Sequence, residues 1–151
     1  MIVYVDTSVL VKRYIHETSS DEVIALIDQA DAVGTAILTR VEMASALEKA
    51  VRLKWVKREI ALQSWQDFLD HWPSFTRMNI TPGTIERASN LAWEHGLRGY
   101  DAVHFASSLT WQETLDAPIM LATFDHDLWK AGEKAGMQVW PEDLLSENFY
   151  P

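Results

Sequence analysis

Four acidic residues, Asp6, Glu42, Asp101 and Asp125, stand where apolar runs give way to polar sequence or where helical patterns begin. Asp6 ends "MIVYVD", Glu42 enters a helical pattern after "AVGTAIL", Asp101 follows the Gly99 turn, and Asp125 and Asp127 follow "IMLAT". Singly, each has an ordinary explanation. Acids favour helix N-termini, where they accept hydrogen bonds from free N–H groups and oppose the positive end of the dipole. Thr39 and Glu42 in "TRVE" have the spacing of a capping box, while Asp101 is placed to cap "AVHFASSL" and Asp125 to cap "LWKAGEKAG". Taken together they suggest different chemistry. Carboxylates brought within about 5 Å repel each other by about 3 kcal/mol per pair at an effective dielectric of about 20. A fold that gathers them needs a cation, and an all-oxygen site suits Mg²⁺ or Mn²⁺.

Such a gathering requires elements that bring distant acids to one place. Five apolar segments read as strands, at 2–5, 32–38, 75–80, 119–123 and 137–140. Helical patterns lie between them: "SVLVKRYIHE", then "SSDEVIALIDQA" with Ser20 as its cap, a longer pair at "RVEMASALEKAVRLKWV" and "REIALQSWQDFLDHW", and "TPGTIERASNLAWEHG" with Gly96 as a stop. "YDAVHFASSLTWQETL" and "DHDLWKAGEKAG" complete the set. The order βαα–βαα–βα–αβ–αβ predicts an α/β fold, a mostly parallel sheet with helices on both faces. Open sheets of this kind bind ligands at the carboxyl ends of their strands, where these acids fall.

The 151 residues carry no repeat, linker or low-complexity tract, so one domain over 1–151 is expected. With 48% hydrophobic and 23% charged residues the chain has the composition of a folded globular protein. No cysteine is present, which excludes disulfides and thiolate metal sites. The start has no signal-peptide pattern and no stretch is long and apolar enough for a membrane helix, so an intracellular protein is expected. The net charge of −9 argues against a protein that coats nucleic acid, but its distribution is uneven. "KAVRLKWVKR", 49–58, holds five of the thirteen Lys and Arg and no acid.

"VDTSVL", "TRVEMASAL", "RGYDAVHFASSL" and "LATFDHDLWKAGEKAGMQVW" resemble, in order and spacing, the four acidic motifs of PIN-domain nucleases. The resemblance extends through essentially the whole chain and is strongest to the VapC-type ribonuclease toxins of prokaryotic toxin–antitoxin pairs. It implies a three-layer α/β/α sandwich and a cytoplasmic endoribonuclease. By the same resemblance, Asp6, Glu42, Asp101 and Asp125 hold Mg²⁺ or Mn²⁺, with Asp127 as a fifth acid and Ser8 and Thr123 orienting the cluster. RNA as substrate, a small antitoxin as partner and a homodimer are implied as well.

Other residues compete for a role. His104 follows Asp101 by three positions, but its flanks Ala102, Val103, Phe105 and Ala106 are apolar, so packing or hydrogen bonding is the expected role. Trp65, Trp72, Trp93, Trp111 and Trp129 occupy apolar positions of helical patterns and read as core or interface residues. Trp55 lies inside the basic run. Lys49, Arg52, Lys54, Lys57 and Arg58 can neutralise phosphates while Trp55 stacks on a base; the plainer alternative is a solvated helix end. Competing functions are a PIN-fold binding or regulatory protein without turnover and a DNA-directed nuclease of the same superfamily. A phosphatase using D-x-D-x-T is excluded, because "DTSVL" lacks the second Asp.

Overall fold

The run "IVYV" forms the central strand β1 (Ile2–Val5), and its last three residues are buried. The computed structural model describes residues 1–146. β1 is followed by α1 (Thr7–Tyr14), α2 (Ser20–Gln29), β2 (Ala32–Ala36), α3 (Thr39–Arg52) and α4 (Arg58–His71). A 3-10 turn, Trp72–Ser74, leads to β3 (Thr76–Met78), then α5 (Pro82–His95), α6 (Gly99–Leu115), β4 (Met120–Ala122), α7 (His126–Lys134) and β5 (Gln138–Trp140). All five expected strands form, and each is parallel to its neighbours in the order β3-β2-β1-β4-β5.

The alternation of side chains along a strand builds two cores. Val3 and Val5 pack to one side with Val9, Leu10, Val23, Met43 and Phe68 from α1, α2, α3 and α4. Tyr4 and Leu121 pack to the other with Ala88, Phe105 and Leu128 from α5, α6 and α7. The result is the expected three-layer α/β/α sandwich. Gly34 shows why β2 and α6 can lie so close: a Cβ there would stand 2.4 Å from the Trp111 ring.

Helix ends follow the sequence in part. Thr81 caps α5 through a reciprocal box with Thr84, and Gly96 ends that helix at φ 67°, where glycine has no Cβ penalty. Ser20 is not the cap of α2. Ser19 holds that position without a side-chain bond, while the Ser20 hydroxyl accepts from Glu17 N and donates to the Ile15 carbonyl. Trp93 is 93% exposed and so is no core residue, whereas Trp72, Trp111 and Trp129 are buried. Among the described residues no helix is long and apolar enough to cross a membrane.

The strand order positions the site. After β1 the chain steps outward to β2 and β3, then returns to the other side of β1 for β4 and β5. That reversal opens a crevice between the carboxyl ends of β1 and β4, the place where open α/β sheets take their ligands.

Candidate active site at the carboxyl edge

Asp6 leaves β1 at the reversal point and is 4% exposed. Its Oδ1 accepts from the Ser8 hydroxyl at 2.6 Å and from Val9 N at 3.2 Å, which makes it the N-cap of α1. Its Oδ2 accepts from the Thr123 hydroxyl at 2.6 Å, across the crevice. Thr123 in turn accepts from Asp125 N, and Ser8 accepts from Phe124 N, so both hydroxyls tie the end of β1 to the loop after β4. Burial pushes the Asp6 carboxyl up from the ordinary range; the nearby His104 and the three hydrogen bonds act against that rise.

Glu42 enters from α3, and there the capping-box expectation fails. The position before α3 is Leu38, with no side-chain cap, and Thr39 is buried with its hydroxyl against that of Thr35. The Glu42 carboxylate instead accepts from the Thr7 hydroxyl at 2.8 Å, and its Oε1 lies 2.7 Å from His104 Nε2. His104 is buried, and its Nδ1 meets the Tyr4 hydroxyl at 2.9 Å. A chain Tyr4–His104–Glu42–Thr7 therefore joins β1, α6, α3 and α1. Burial alone would raise the Glu42 carboxyl, but His104 and Thr7 outweigh it and hold it below the usual glutamate range. Packing or hydrogen bonding was the expected role for His104, and it does both.

Asp101 lies in the first turn of α6 rather than at its cap, which is Arg98. Arg98 Nε donates to Asp101 Oδ2 and Arg98 Nη2 to Asp125 Oδ2, each at 2.8 Å. Burial, helped by the neighbouring Asp125 charge, raises the Asp101 carboxyl, while Arg98 draws it back down. Asp125 does cap its helix: Oδ1 accepts from Asp127 N and Leu128 N at the start of α7. Asp127 is exposed on that first turn.

The capping explanation thus holds for Asp6 and Asp125 and fails for Glu42 and Asp101. Arg98 joins Asp101 to Asp125, Thr123 joins Asp6 to the Asp125 backbone, and His104 acts electrostatically on Asp6, Glu42 and Asp101. Among the described residues no group of three or more acids and histidines is arranged, as it stands, to hold an ion. Arg98 bridges two of the acids and His104 takes a third. The donor chemistry nonetheless fits a hard divalent ion, because the acids and the hydroxyls beside them offer only oxygen. His104 and Thr7 leave Oε2 of Glu42 for a further ligand, whereas Arg98 engages Oδ2 of both Asp101 and Asp125.

A groove of about 980 Å³ runs from this edge along α1 and α3, lined by Thr7, Ser8, Lys12, Glu42, Lys49, Trp55, Arg98 and Tyr100. The basic run divides here. Lys49 and Trp55 line this groove, whereas Arg52 and Arg58 line a second, smaller one between α3 and α4 with Leu47, Val51, Leu62 and Trp65. Lys54, at φ 60° in the turn, and Lys57, before α4, are exposed and line neither. Thr7, Tyr4 and Arg98 were not anticipated. The separation of three between Arg98 and Asp101 was a usable signal, because it is the spacing of an N-cap residue and the third helical position, whose side chains can meet across the first turn.

A five-stranded parallel sheet between two helix layers, with Asp6 at its switch point, defines an open α/β class, and residues 3–134 match the PIN domain model. Ribonuclease VapC45 of Mycobacterium tuberculosis (strain CDC 1551 / Oshkosh) is 33% identical over 143 residues, covering 95% of this chain and 97% of the relative. A structure of FitAB bound to an IR36 DNA fragment superposes with a TM-score of 0.66 at 17% identity, covering 93% of this chain and 94% of that one. VapBC-5 of M. tuberculosis, a member of the VapBC family of toxin–antitoxin systems, gives 0.57 at 19%, covering 91% and 96%. The chain belongs to the PIN-domain family, in its VapC-type ribonuclease branch.

Proposed function

We propose that the protein is a metal-dependent endoribonuclease whose activity a small antitoxin restrains. The observation that carries this reading is the linkage of acids from four separate segments near the reversal point of the sheet: Arg98 bridges Asp101 and Asp125, Thr123 ties Asp6 to the Asp125 backbone, and His104 holds Glu42, which lines an open groove. These four carboxylates would hold Mg²⁺ or Mn²⁺, with the exposed Asp127 as a further oxygen ligand. An ion held there would supply Lewis acidity, lowering the pKa of a water and offsetting charge on the phosphate.

The chain's own groups do the rest. Ser8 and Thr123 fix both oxygens of Asp6, and His104 and Thr7 fix Glu42, so little reorganisation is required when substrate arrives. Lys12, Lys49 and Arg98 put positive charge along the groove, and Trp55 and Tyr100 offer exposed rings to unstacked bases. Hydrolysis then leaves a 5′-phosphate and a 3′-hydroxyl. The single domain, the homodimer and the cytoplasmic setting belong to this reading. The antitoxin is supported by the VapBC-5 likeness and by the apolar groove between α3 and α4, which suits a partner's apolar side chains.

Incubation with total RNA tests the activity. Cleavage should require added Mg²⁺ or Mn²⁺, stop with EDTA, and yield 5′-phosphorylated ends in linker ligation. Undiminished cleavage in excess chelator sinks the metal chemistry. RNA binding that never leads to cleavage, with either ion, returns the chain to a binding protein.

A further inference from the structure

Arg98 occupies the gap that a cation would fill. Its guanidinium spans Asp101 Oδ2 and Asp125 Oδ2, at 2.8 Å each, while the side chain stays 77% exposed and lines the groove. Asp101 comes from α6 and Asp125 from the loop after β4, so the two ion pairs bind separate segments together. The backbone at Arg98 is extended, immediately before α6, and the side chain can leave without disturbing the helix.

We propose that Arg98 is a displaceable internal cation. It holds Asp101 and Asp125 together while no divalent ion is bound, competes with that ion for the same two oxygens, and swings into the groove to take an RNA phosphate once displaced. This rests on the metal reading above. A guanidinium and a dication cannot share the two Oδ2 atoms, because they repel at that distance and each would lose ligands. The planar fork of arginine suits this double role, since it pairs with carboxylate and phosphate in the same geometry. Only the guanidinium is exposed, since the Asp101 and Asp125 side chains are 12% and 20% exposed; on the scale of solvent-exposed pairs the two together amount to about tenfold to thirtyfold.

A coupling follows. A phosphate that draws Arg98 away frees the carboxylates, so metal and RNA each tighten the binding of the other, by the same factor. The enzyme then loads its ion most readily when substrate is present.

Mn²⁺ binding measured by electron paramagnetic resonance of the free ion tests this without reference to cleavage. Arg98→Ala should bind Mn²⁺ about tenfold to thirtyfold more tightly than wild type in the absence of nucleic acid. Arg98→Lys should fall between them, because one ammonium cannot reproduce the fork. A 2′-O-methyl oligonucleotide, which contributes phosphates but resists cleavage, should tighten Mn²⁺ binding to wild type severalfold and leave Arg98→Ala unchanged. Equal affinity in wild type and Arg98→Ala, with and without oligonucleotide, overturns the proposal and leaves the metal site standing. Weaker binding by Arg98→Ala overturns it too, and makes Arg98 a prop for the acids. Failure of both proteins to bind Mn²⁺ removes the metal reading itself, and this proposal with it.

Discussion

The carboxyl edge of the sheet and the tip of the α3–α4 hairpin are both rich in charge and are built in opposite ways. At the edge, Asp6 is buried and accepts three hydrogen bonds, from Ser8, Thr123 and Val9 N, and Glu42 is pinned between Thr7 and His104. At the tip, Lys54, Lys57 and Arg58 face water, Trp55 is 72% exposed, and Arg52 pairs with Glu48 one turn back. Fixed, partly desolvated groups are what chemistry needs, because dipoles already in place cost nothing to reorient during reaction. Exposed, rotamer-rich groups suit contact with a partner of variable shape. The first region should therefore govern turnover and the second affinity.

The largest effect tests the edge. Asp6→Asn and Asp101→Asn should each lower kcat by about 10²–10³-fold, the scale of losing one preorganised electrostatic group. Far-ultraviolet circular dichroism should stay that of wild type. Full activity in either variant would make that acid a helix cap or a structural partner and nothing more.

At the tip the groove boundary sharpens the contrast. Trp55→Ala should weaken RNA binding by about 1–3 kcal/mol with little change in salt dependence, since stacking releases no counterions. Lys49→Glu should reduce the magnitude of the log–log salt slope by roughly 0.7, the single-strand value per phosphate contact. Arg58→Glu, on the other groove, should leave RNA affinity as it was and alter antitoxin affinity instead. Fluorescence anisotropy with a single-stranded RNA and with the antitoxin separates these outcomes. Equal RNA defects in Lys49→Glu and Arg58→Glu would mean that the basic run acts as one surface.

How much of this the sequence showed differs between the same two regions. The order of elements was legible because the inner strands are short apolar runs and most helices carry a periodic apolar face, although the edge strand β3 is Thr-Arg-Met and largely exposed. The acids were visible as a set, but their local roles were not. Glu42 has capping-box spacing with Thr39, yet its partners Thr7 and His104 lie 35 and 62 positions away, and only the sheet order brings them near. Asp125 does cap a helix and still meets Arg98, so a capping role and a place in the site are compatible. "KAVRLKWVKR" reads as one patch along the chain. The turn between α3 and α4 breaks it, and helical periodicity sends Lys49 and Arg52 to different grooves.

The smallest expected effect divides the edge itself, in metal-free buffer containing EDTA. Burial raises the folded-state pKa of Asp6, so its contribution to stability is fully present below the unfolded pKa of about 4 and is lost as pH rises through the folded value. Glu42 has the opposite sign. His104 and Thr7 hold its folded pKa below the unfolded value, so its contribution is present above about 4.3 and is lost as pH falls through the folded value. Melting temperatures of wild type, Asp6→Asn and Glu42→Gln across pH 4 to 7 should therefore diverge in opposite directions. Wild type should lose ground to Asp6→Asn as pH rises, because only the wild type must carry a buried charge. It should lose ground to Glu42→Gln as pH falls, because protonation weakens the bond to His104 that the glutamine variant no longer relies on charge to make. Parallel curves for all three proteins would mean that the two carboxyls sit in equivalent surroundings, and the contrast between a buried acid at the strand end and a histidine-paired acid on the helix would fail.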